Sequence, residues 1–228
     1  MSGTSPLGAK MDDLLAALER APWVHPHIHG DCNRTYFEQS FPHVKIDGLW
    51  MEFGVYRGKT ISVIAEYTKN IVYGFDSFEG LHEDWDADNP KGSYTLHGII
   101  PAEAIDGRLE GATGGRATRP WAENIKLIKG YFEHSLPPFL EEHTAPAAFL
   151  HIDSDLYSSA KTILTELKDR IIPGTVICFD DWCGYPDCSD KNHEIKAFAE
   201  FLLDTQYGYQ TLAYQTDSRY SQAAFLIK

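Results

Sequence analysis

Two stretches of this chain run through β-branched and aromatic residues without a formal charge and then stop abruptly at aspartate. One is Phe149-Leu150-His151-Ile152-Asp153-Ser154-Asp155-Leu156-Tyr157; the other is Thr175-Val176-Ile177-Cys178-Phe179-Asp180-Asp181-Trp182. Strands that are apolar on both sides belong to sheets covered on both faces, and such sheets are mostly parallel with flanking helices. Ligands collect outside the carboxyl ends of their strands. Aspartates gathered at those ends repel one another unless a cation holds them. The two runs therefore predict an α/β sheet with a divalent metal site at one edge.

Asp153 and Asp180 stand one strand–helix–strand repeat apart, at the tips of consecutive strands expected to be neighbours, and Asp181 follows directly. Three carboxylate donors, with waters and substrate oxygens, complete the octahedron that Mg2+ favours. Helix capping is the competing role, open to Asp153 or Asp155 ahead of a helix expected from Ser158 to Arg170. A long connection separates Asp180-Asp181 from the next helix, expected at about 193–204, so capping explains that pair poorly.

Upstream, Gly48 to Gly54 reads as a strand running into glycine, residues 55–60 turn, and Thr60 to Thr68 is helical. Ile71 to Asp76 is a second strand that closes on an acid. Strand, glycine turn, helix, strand, acid is the unit that binds adenosine-type cofactors, with the acid about 20 residues past the turn and placed for the ribose hydroxyls. Glu52-x-Gly54-x-x-x-Gly58 lacks the G-x-G-x-x-G that brings backbone onto a pyrophosphate. It suits a phosphate-free cofactor such as S-adenosylmethionine, whose aminoacyl arm needs only room.

A third strand is expected over Ile125–Gly130 with a helix from about Ser135, a fourth over 147–153 and a fifth over 175–180. Tyr209–Tyr214 and Ala223–Ile227 read as an antiparallel pair. The outline is a Rossmann-like α/β domain: a seven-stranded, mostly parallel sheet, its last strand reversed, with helices on both faces. Residues 48–228 form that domain and 1–47 a cap, in which residues 1–10 lack order and Asp12 to Arg20 is helical. His25, His27 and His29 share one face of an extended segment but no ligand set closes a zinc site, so a polar cap over the active site fits them better. Residues 81–124 connect two strands over a length that is uncommon unless functional, and read as a lid with a helix near Pro101–Leu109.

A formal net charge of −13 argues against a nucleic-acid partner. No apolar run reaches the roughly 18 residues of a membrane span, and no signal-peptide core opens the chain. Cys32, Cys178, Cys183 and Cys188 are few for a disulfide scaffold, and reduced thiols in a cytoplasmic protein are expected.

Glu52 to Gly58, Gly74-Phe75-Asp76-Ser77-Phe78-Glu79-Gly80, His151 to Ser159 and Pro173-Gly174 through Trp182 resemble the macrocin O-methyltransferase family. The resemblance implies S-adenosylmethionine- and Mg2+-dependent methylation of sugar hydroxyls on natural products. It implies Asp153, Asp180 and Asp181 as metal ligands and Asp155 as general base. Its cofactor contacts map to Glu52, Gly54, Val55, Tyr56, Gly58, Thr60, Asp76, Ser77, Gly130 and Asp153. Two positions depart from the family pattern: Ser154 stands where Gly is common, and His82 where Pro is common.

The expected activity is methyl transfer to a small-molecule hydroxyl, with a vicinal diol as the natural acceptor. Trp85, Tyr94, Tyr157, Trp182 and Tyr185 are candidates to face an apolar or sugar ring near the metal. A dimer contact is the alternative role for exposed aromatics, which leaves a homo-oligomer open. The rival activity is nucleotide-sugar transfer on the Asp153-Ser154-Asp155 motif, disfavoured because the preceding strand–turn–helix unit provides for a cofactor.

Overall fold

The computed structural model describes residues 6–19, 32–101, 122–183, 192–216 and 221–228. Two helices, α1 (Pro6–Glu19) and α2 (Cys32–Ser40), precede the sheet, and a 3-10 turn at Phe41–His43 follows α2. Next come β1 (Leu49–Phe53), α3 (Lys59–Tyr67), β2 (Val72–Asp76), β3 (Ile125–Lys129), α4 (Phe132–Glu142), β4 (Ala147–Ile152), α5 (Tyr157–Glu166) and β5 (Val176–Phe179). The chain closes with α6 (Glu194–Thr205), β6 (Tyr209–Thr216) and β7 (Ser221–Ile227). The strands form one seven-stranded sheet in the order β3-β2-β1-β4-β5-β7-β6. Every pairing from β3 to β5 is parallel; β7 lies antiparallel between β5 and β6.

The sheet is covered as its sequence demands. Every residue of β1, β4 and β5 is buried, so side chains on both faces need a helical partner. One core holds Met51, Phe53, Leu150 and Phe179 against α1, α4, α5 and α6. The other holds Trp50, Phe149 and Val176 against Tyr36 and Phe37 of α2 and Ile61 and Ile64 of α3. Each fully buried large apolar side chain contributes about 1.5–3 kcal/mol. Strand order reverses between β1 and β4, because β2 and β3 lie to one side of β1 and β4 and β5 to the other. That crevice is where this class of sheet binds ligands.

Several boundaries differ from expectation for identifiable reasons. Helix α1 starts at Pro6 rather than Asp12; proline suits a first turn, whose N–H groups have no intrahelical acceptor. Helix α4 starts at Phe132, ahead of Ser135, and carries Pro137 and Pro138 inside it. The two prolines argue locally against a helix there, yet Leu136 and Phe139 are buried against the sheet and packing prevails. Helix α5 stops at Glu166, and turns carry the chain to Arg170. The expectation of reduced thiols fails at Cys183, which is disulfide-bonded. Cysteine number alone does not reveal which sulfurs the fold brings together. Cys178 is a free buried thiol, its pKa pushed up to about 12 chiefly by burial. The helix expected near Pro101–Leu109, beyond Pro101 itself, and the His25, His27, His29 segment lie outside the described residues. No helix among the described residues is long and apolar enough to cross a membrane.

Gly54 links this architecture to the site. Its φ is +90°, and a Cβ built on it would stand 1.7 Å from the backbone oxygen of Asp153. The tips of β1 and β4 can approach this closely only because residue 54 has no side chain. Gly54→Ala should therefore cost about 3 kcal/mol or more through backbone clash and a strained φ. Urea denaturation reads this as a lower midpoint, and an unchanged midpoint contradicts the packing described.

Candidate active site

The strand tips are joined beyond the regular ladder by four backbone hydrogen bonds. Gly54 N donates to Phe75 O, Asp153 N to Phe53 O, Asp180 N to Ile152 O and Gly130 N to Asp76 O, each at 2.9 Å. These bonds set Gly54, Asp76, Gly130, Asp153 and Asp180 along the carboxyl edge of the sheet. A cavity of about 810 Å³ opens there. Of the expected cofactor contacts, Gly54, Val55, Tyr56 and Thr60 line it from the first turn, Asp76 and Ser77 from β2, Gly130 from β3 and Asp153 from β4. Gly58 and Glu52 do not line it. Gly58 closes the turn at φ +79° and donates its N–H to Val55 O at 2.7 Å.

Asp76 braces the turn. Its Oδ2 accepts from Val55 N at 2.8 Å and Tyr56 N at 2.7 Å, and its Oδ1 accepts from Phe78 N at 2.6 Å. The acid expected at the ribose thus also holds the glycine turn in shape, and it borders the cavity from that position.

Asp153, Asp155, Asp180 and Asp181 all line the same cavity. Carboxylate oxygens of Asp153, Asp155 and Asp181 fall within 4.8 Å of one another, and so do a ring nitrogen of His151 and oxygens of Asp153 and Asp180. Asp153 belongs to both groups, so the expected metal trio is divided between them, and Asp155 joins one. The capping alternative fails. Helix α5 has Leu156 as its N-cap residue and α6 has His193, and neither helix start carries a side-chain cap. Asp155 instead occupies a left-handed conformation at φ +59°, which costs a non-glycine residue about 1 kcal/mol or more.

Burial is the main cause that raises three of these acids, Asp153, Asp155 and Asp181. It raises Asp153 well above the usual carboxylate range, with Asp180, Asp181 and Asp155 adding repulsion. Burial followed by the Asp180 charge raises Asp155 to about 7. Asp181 is raised by burial, then by Asp155 and Glu194, and its Oδ2 is buried without a hydrogen-bond partner. Hard oxygen donors, an unsatisfied buried carboxylate oxygen and strained ionisation fit a small divalent cation.

Beneath the acids lies a layer that the sequence reading missed. Glu52 and His151 are fully buried and paired, Oε1 to Nδ1 at 2.9 Å. They face each other in the β1–β4 register. His151 Nε2 lies 3.6 Å from Asp180 Oδ1. Burial alone would lower the His151 pKa, but hydrogen bonding and charge from Asp180 and Glu52 win and raise it to about 9. Glu194, fully buried at the start of α6, accepts from Asp181 N at 3.0 Å and from Ser154 Oγ at 3.4 Å. Gln222 of β7 donates from Nε2 to Asp180 Oδ1. Strand alternation could have found His151, since it shares a face with Asp153. No local signal points to Glu194 or Gln222.

The aromatic residues divide differently from expectation. Tyr94 lines the cavity. Trp182 is fully buried against Phe179, Phe198 and Phe225, so it anchors Asp181 from below and cannot face an acceptor. Tyr157 turns towards α6, where its hydroxyl donates to Glu200 at 3.0 Å and Lys196 sits over its ring. Trp85 stands apart from the cavity lining, its ring 6.4 Å from that of His193. Tyr185 lies outside the described residues. His82, at the cavity rim, is joined to Ser158 Oγ at 3.2 Å.

Sheet order and an acid-lined crevice at the β1–β4 reversal define a Rossmann-like methyltransferase fold. Residues 37–202 match the model of the macrocin O-methyltransferase (TylF) family, and the chain belongs to that family. Demethyldecarbamoylnovobiocin O-methyltransferase of Streptomyces niveus is 33% identical over 78 residues, a match spanning 33% of this chain and only 28% of that relative. The crystal structure of CalS11, a calicheamicin methyltransferase, superposes with a TM-score of 0.64 at 20% identity, covering 99% of this chain and 94% of that one. An apo structure of CalS11, described as a TDP-rhamnose 3'-O-methyltransferase, gives 0.57 at 18% identity over 99% and 97%. An O-methyltransferase from Bacillus cereus in complex with SAH gives 0.54 at 14% identity over 96% and 90%.

The raised acids make stability depend on pH in an unusual direction. Asp155 titrates near 7 in the folded chain against about 3.9 when unfolded. The folded state keeps a proton that the unfolded state releases, so this stabilisation is present below about pH 4 and is lost as pH rises through about 7. In chelator the melting temperature should fall between about pH 5 and 7.5, and saturating Mg2+ should abolish most of that fall. A melting temperature independent of both pH and Mg2+ contradicts the electrostatics described.

Proposed function

We propose that this chain transfers a methyl group from S-adenosylmethionine to a hydroxyl of a small-molecule acceptor, a sugar or other vicinal diol of a natural product, with a divalent cation bound. The convergence of four aspartates on the cavity that the Gly54 turn opens carries this reading. The names of the relatives, which include a TDP-rhamnose methyltransferase, support a sugar acceptor.

S-adenosylmethionine supplies an electrophilic methyl on a cationic sulfur. The Gly54–Gly58 turn, braced by Asp76, leaves open backbone for the aminoacyl arm, and Gly130 and Tyr131 border the adenine side. Asp153, Asp180 and Asp181 are the residues to hold the cation, which supplies Lewis-acid assistance when bound. Asp155 takes the proton of the acceptor hydroxyl; its pKa of about 7 lets it exchange a proton near neutrality. Tyr94, His82 and Leu81 line the cavity. Positioning and deprotonation supply the rate enhancement, and no covalent enzyme intermediate is needed.

Nucleotide-sugar transfer is not favoured. The Asp153-Ser154-Asp155 motif stands in a methyltransferase-type sheet, beside a turn that lacks a pyrophosphate cradle. Calorimetry separates the two readings: S-adenosylhomocysteine should bind and nucleotide sugars without an acceptor role should not. In methyl-transfer assays against sugar and catechol diols, chelator and Asp181→Ala should each abolish turnover while leaving S-adenosylhomocysteine affinity largely intact. Asp155→Asn should lower kcat about 10²- to 10⁴-fold with cation affinity retained. An unchanged rate removes Asp155 as base, and full activity in chelator removes the cation from the reaction.

A further inference from the structure

Glu194 reaches the site without entering it. It is fully buried and stands outside the cavity lining, whereas Ser154, Asp155 and Asp181 all border the cavity. From the first residue of α6 its carboxylate joins the loops beyond two strands. One oxygen accepts from Asp181 N at 3.0 Å, past the end of β5, and the other from Ser154 Oγ at 3.4 Å, past the end of β4. The backbone N–H of Ser154 also favours the charged form of Glu194, and that of Asp155 the charged form of Asp181. Asp155 thus sits between two residues that Glu194 ties together.

Asp155 needs such support. Leu156 N donates to Ser154 O at 2.6 Å, so Asp155 is the middle of a three-residue turn, and its φ is +59°. A turn of this kind with positive φ is rare and strained, and such strain persists only where the surroundings over-determine it. Helix α6 supplies a firm mount. Its dipole favours a carboxylate in the first turn, and Ile195 N donates to Trp182 O at 3.0 Å, which fastens the same helix start to the β5 loop.

We propose that Glu194 is a positioning residue for methyl transfer: from α6 it holds Ser154 and Asp181 at a set separation and thereby aims the Asp155 carboxylate at the acceptor hydroxyl. The inference rests on Asp155 being the general base of the proposed function. An apolar side chain could fill the same space, but it would leave the Asp181 N–H without its acceptor. A glutamine keeps one acceptor oxygen and presents N–H groups where the second bond needs an acceptor. Only the carboxylate serves both loops at once.

Amide hydrogen exchange and kinetics on the full chain read this together, and the first needs no acceptor. In Glu194→Gln the Leu156 amide, whose bond closes the turn, should exchange at least about tenfold faster, while the amides of β1 and β4 keep their protection. With whichever sugar or catechol diol is methylated fastest, Glu194→Gln should lower kcat about 10- to 100-fold, leaving acceptor KM and S-adenosylhomocysteine affinity within about threefold. Placed on Asp155→Asn, the same substitution should cost less than about threefold more, because a base already lost cannot be misplaced. A loss that adds in full to that of Asp155→Asn, or a Leu156 amide unchanged in Glu194→Gln, makes Glu194 a packing residue and overturns the proposal. A loss in Asp155→Asn without one in Glu194→Gln overturns this inference alone. If Asp155→Asn leaves kcat unchanged, the base reading falls and this inference falls with it. Should Glu194→Gln not fold, the unaltered protein decides: slow exchange of the Asp181 amide supports the bridge, and exchange at the unprotected rate overturns it.

Discussion

Strand register brings negative charges together and leaves the fold to hold them. Backbone hydrogen bonds continue past the ends of the regular ladder, from Phe53 to Asp153 and from Ile152 to Asp180, so adjacent strands terminate level. Level termination places four carboxylates around one cavity. Their mutual repulsion works against folding, and the apolar mass below the strand ends opposes it. Trp182 is the clearest case. Its ring fills the space among Phe179, Phe198 and Phe225, and its backbone N–H donates to Ser221 O at 2.9 Å. Asp181 therefore cannot retreat from its neighbours.

Much of this fold is legible in local sequence because parallel sheets write it there. Fully apolar strands, helices between them and aspartates at their ends give the sheet, its covered faces and the edge that binds ligands. The acids of the site were legible for the same reason, since residues at strand ends need only strand boundaries to be placed. The layer under them was not. Glu52 pairs with His151, and Glu194 accepts from Asp181 N and Ser154 Oγ, across separations along the chain that no periodicity reports. Trp182 is among the aromatics that suit an acceptor ring by their chemistry alone. Beyond a strand's last residue, side-chain direction is set by the loop and not by alternation, and here the loop turns the ring inwards. The Pro137-Pro138 pair misled in the opposite sense, because tertiary burial of Leu136 and Phe139 outweighs a local penalty.

Asp76 has a structural part that its position in the sequence does not suggest. Spacing from the glycine turn assigned it to a cofactor's ribose. The structure shows its carboxylate accepting three backbone N–H groups, two of them in the turn itself. A loop held by a charge-assisted pair of hydrogen bonds is shaped before any ligand arrives, which reduces the ordering that binding must supply.

The placement of β7 has a temporal meaning. It inserts antiparallel between β5 and β6 and delivers Gln222 to Asp180, although all the aspartates of the cluster are synthesised well before it. A nascent chain therefore carries its full complement of acids for some time with one flank of the sheet still missing. Closing that gap is a long-range event and slow by comparison with local helix formation. Until it occurs, Asp180 has neither its Gln222 amide donor nor a settled strand on that flank, so the acid-lined edge is completed in the last stage of folding and not in its nucleation.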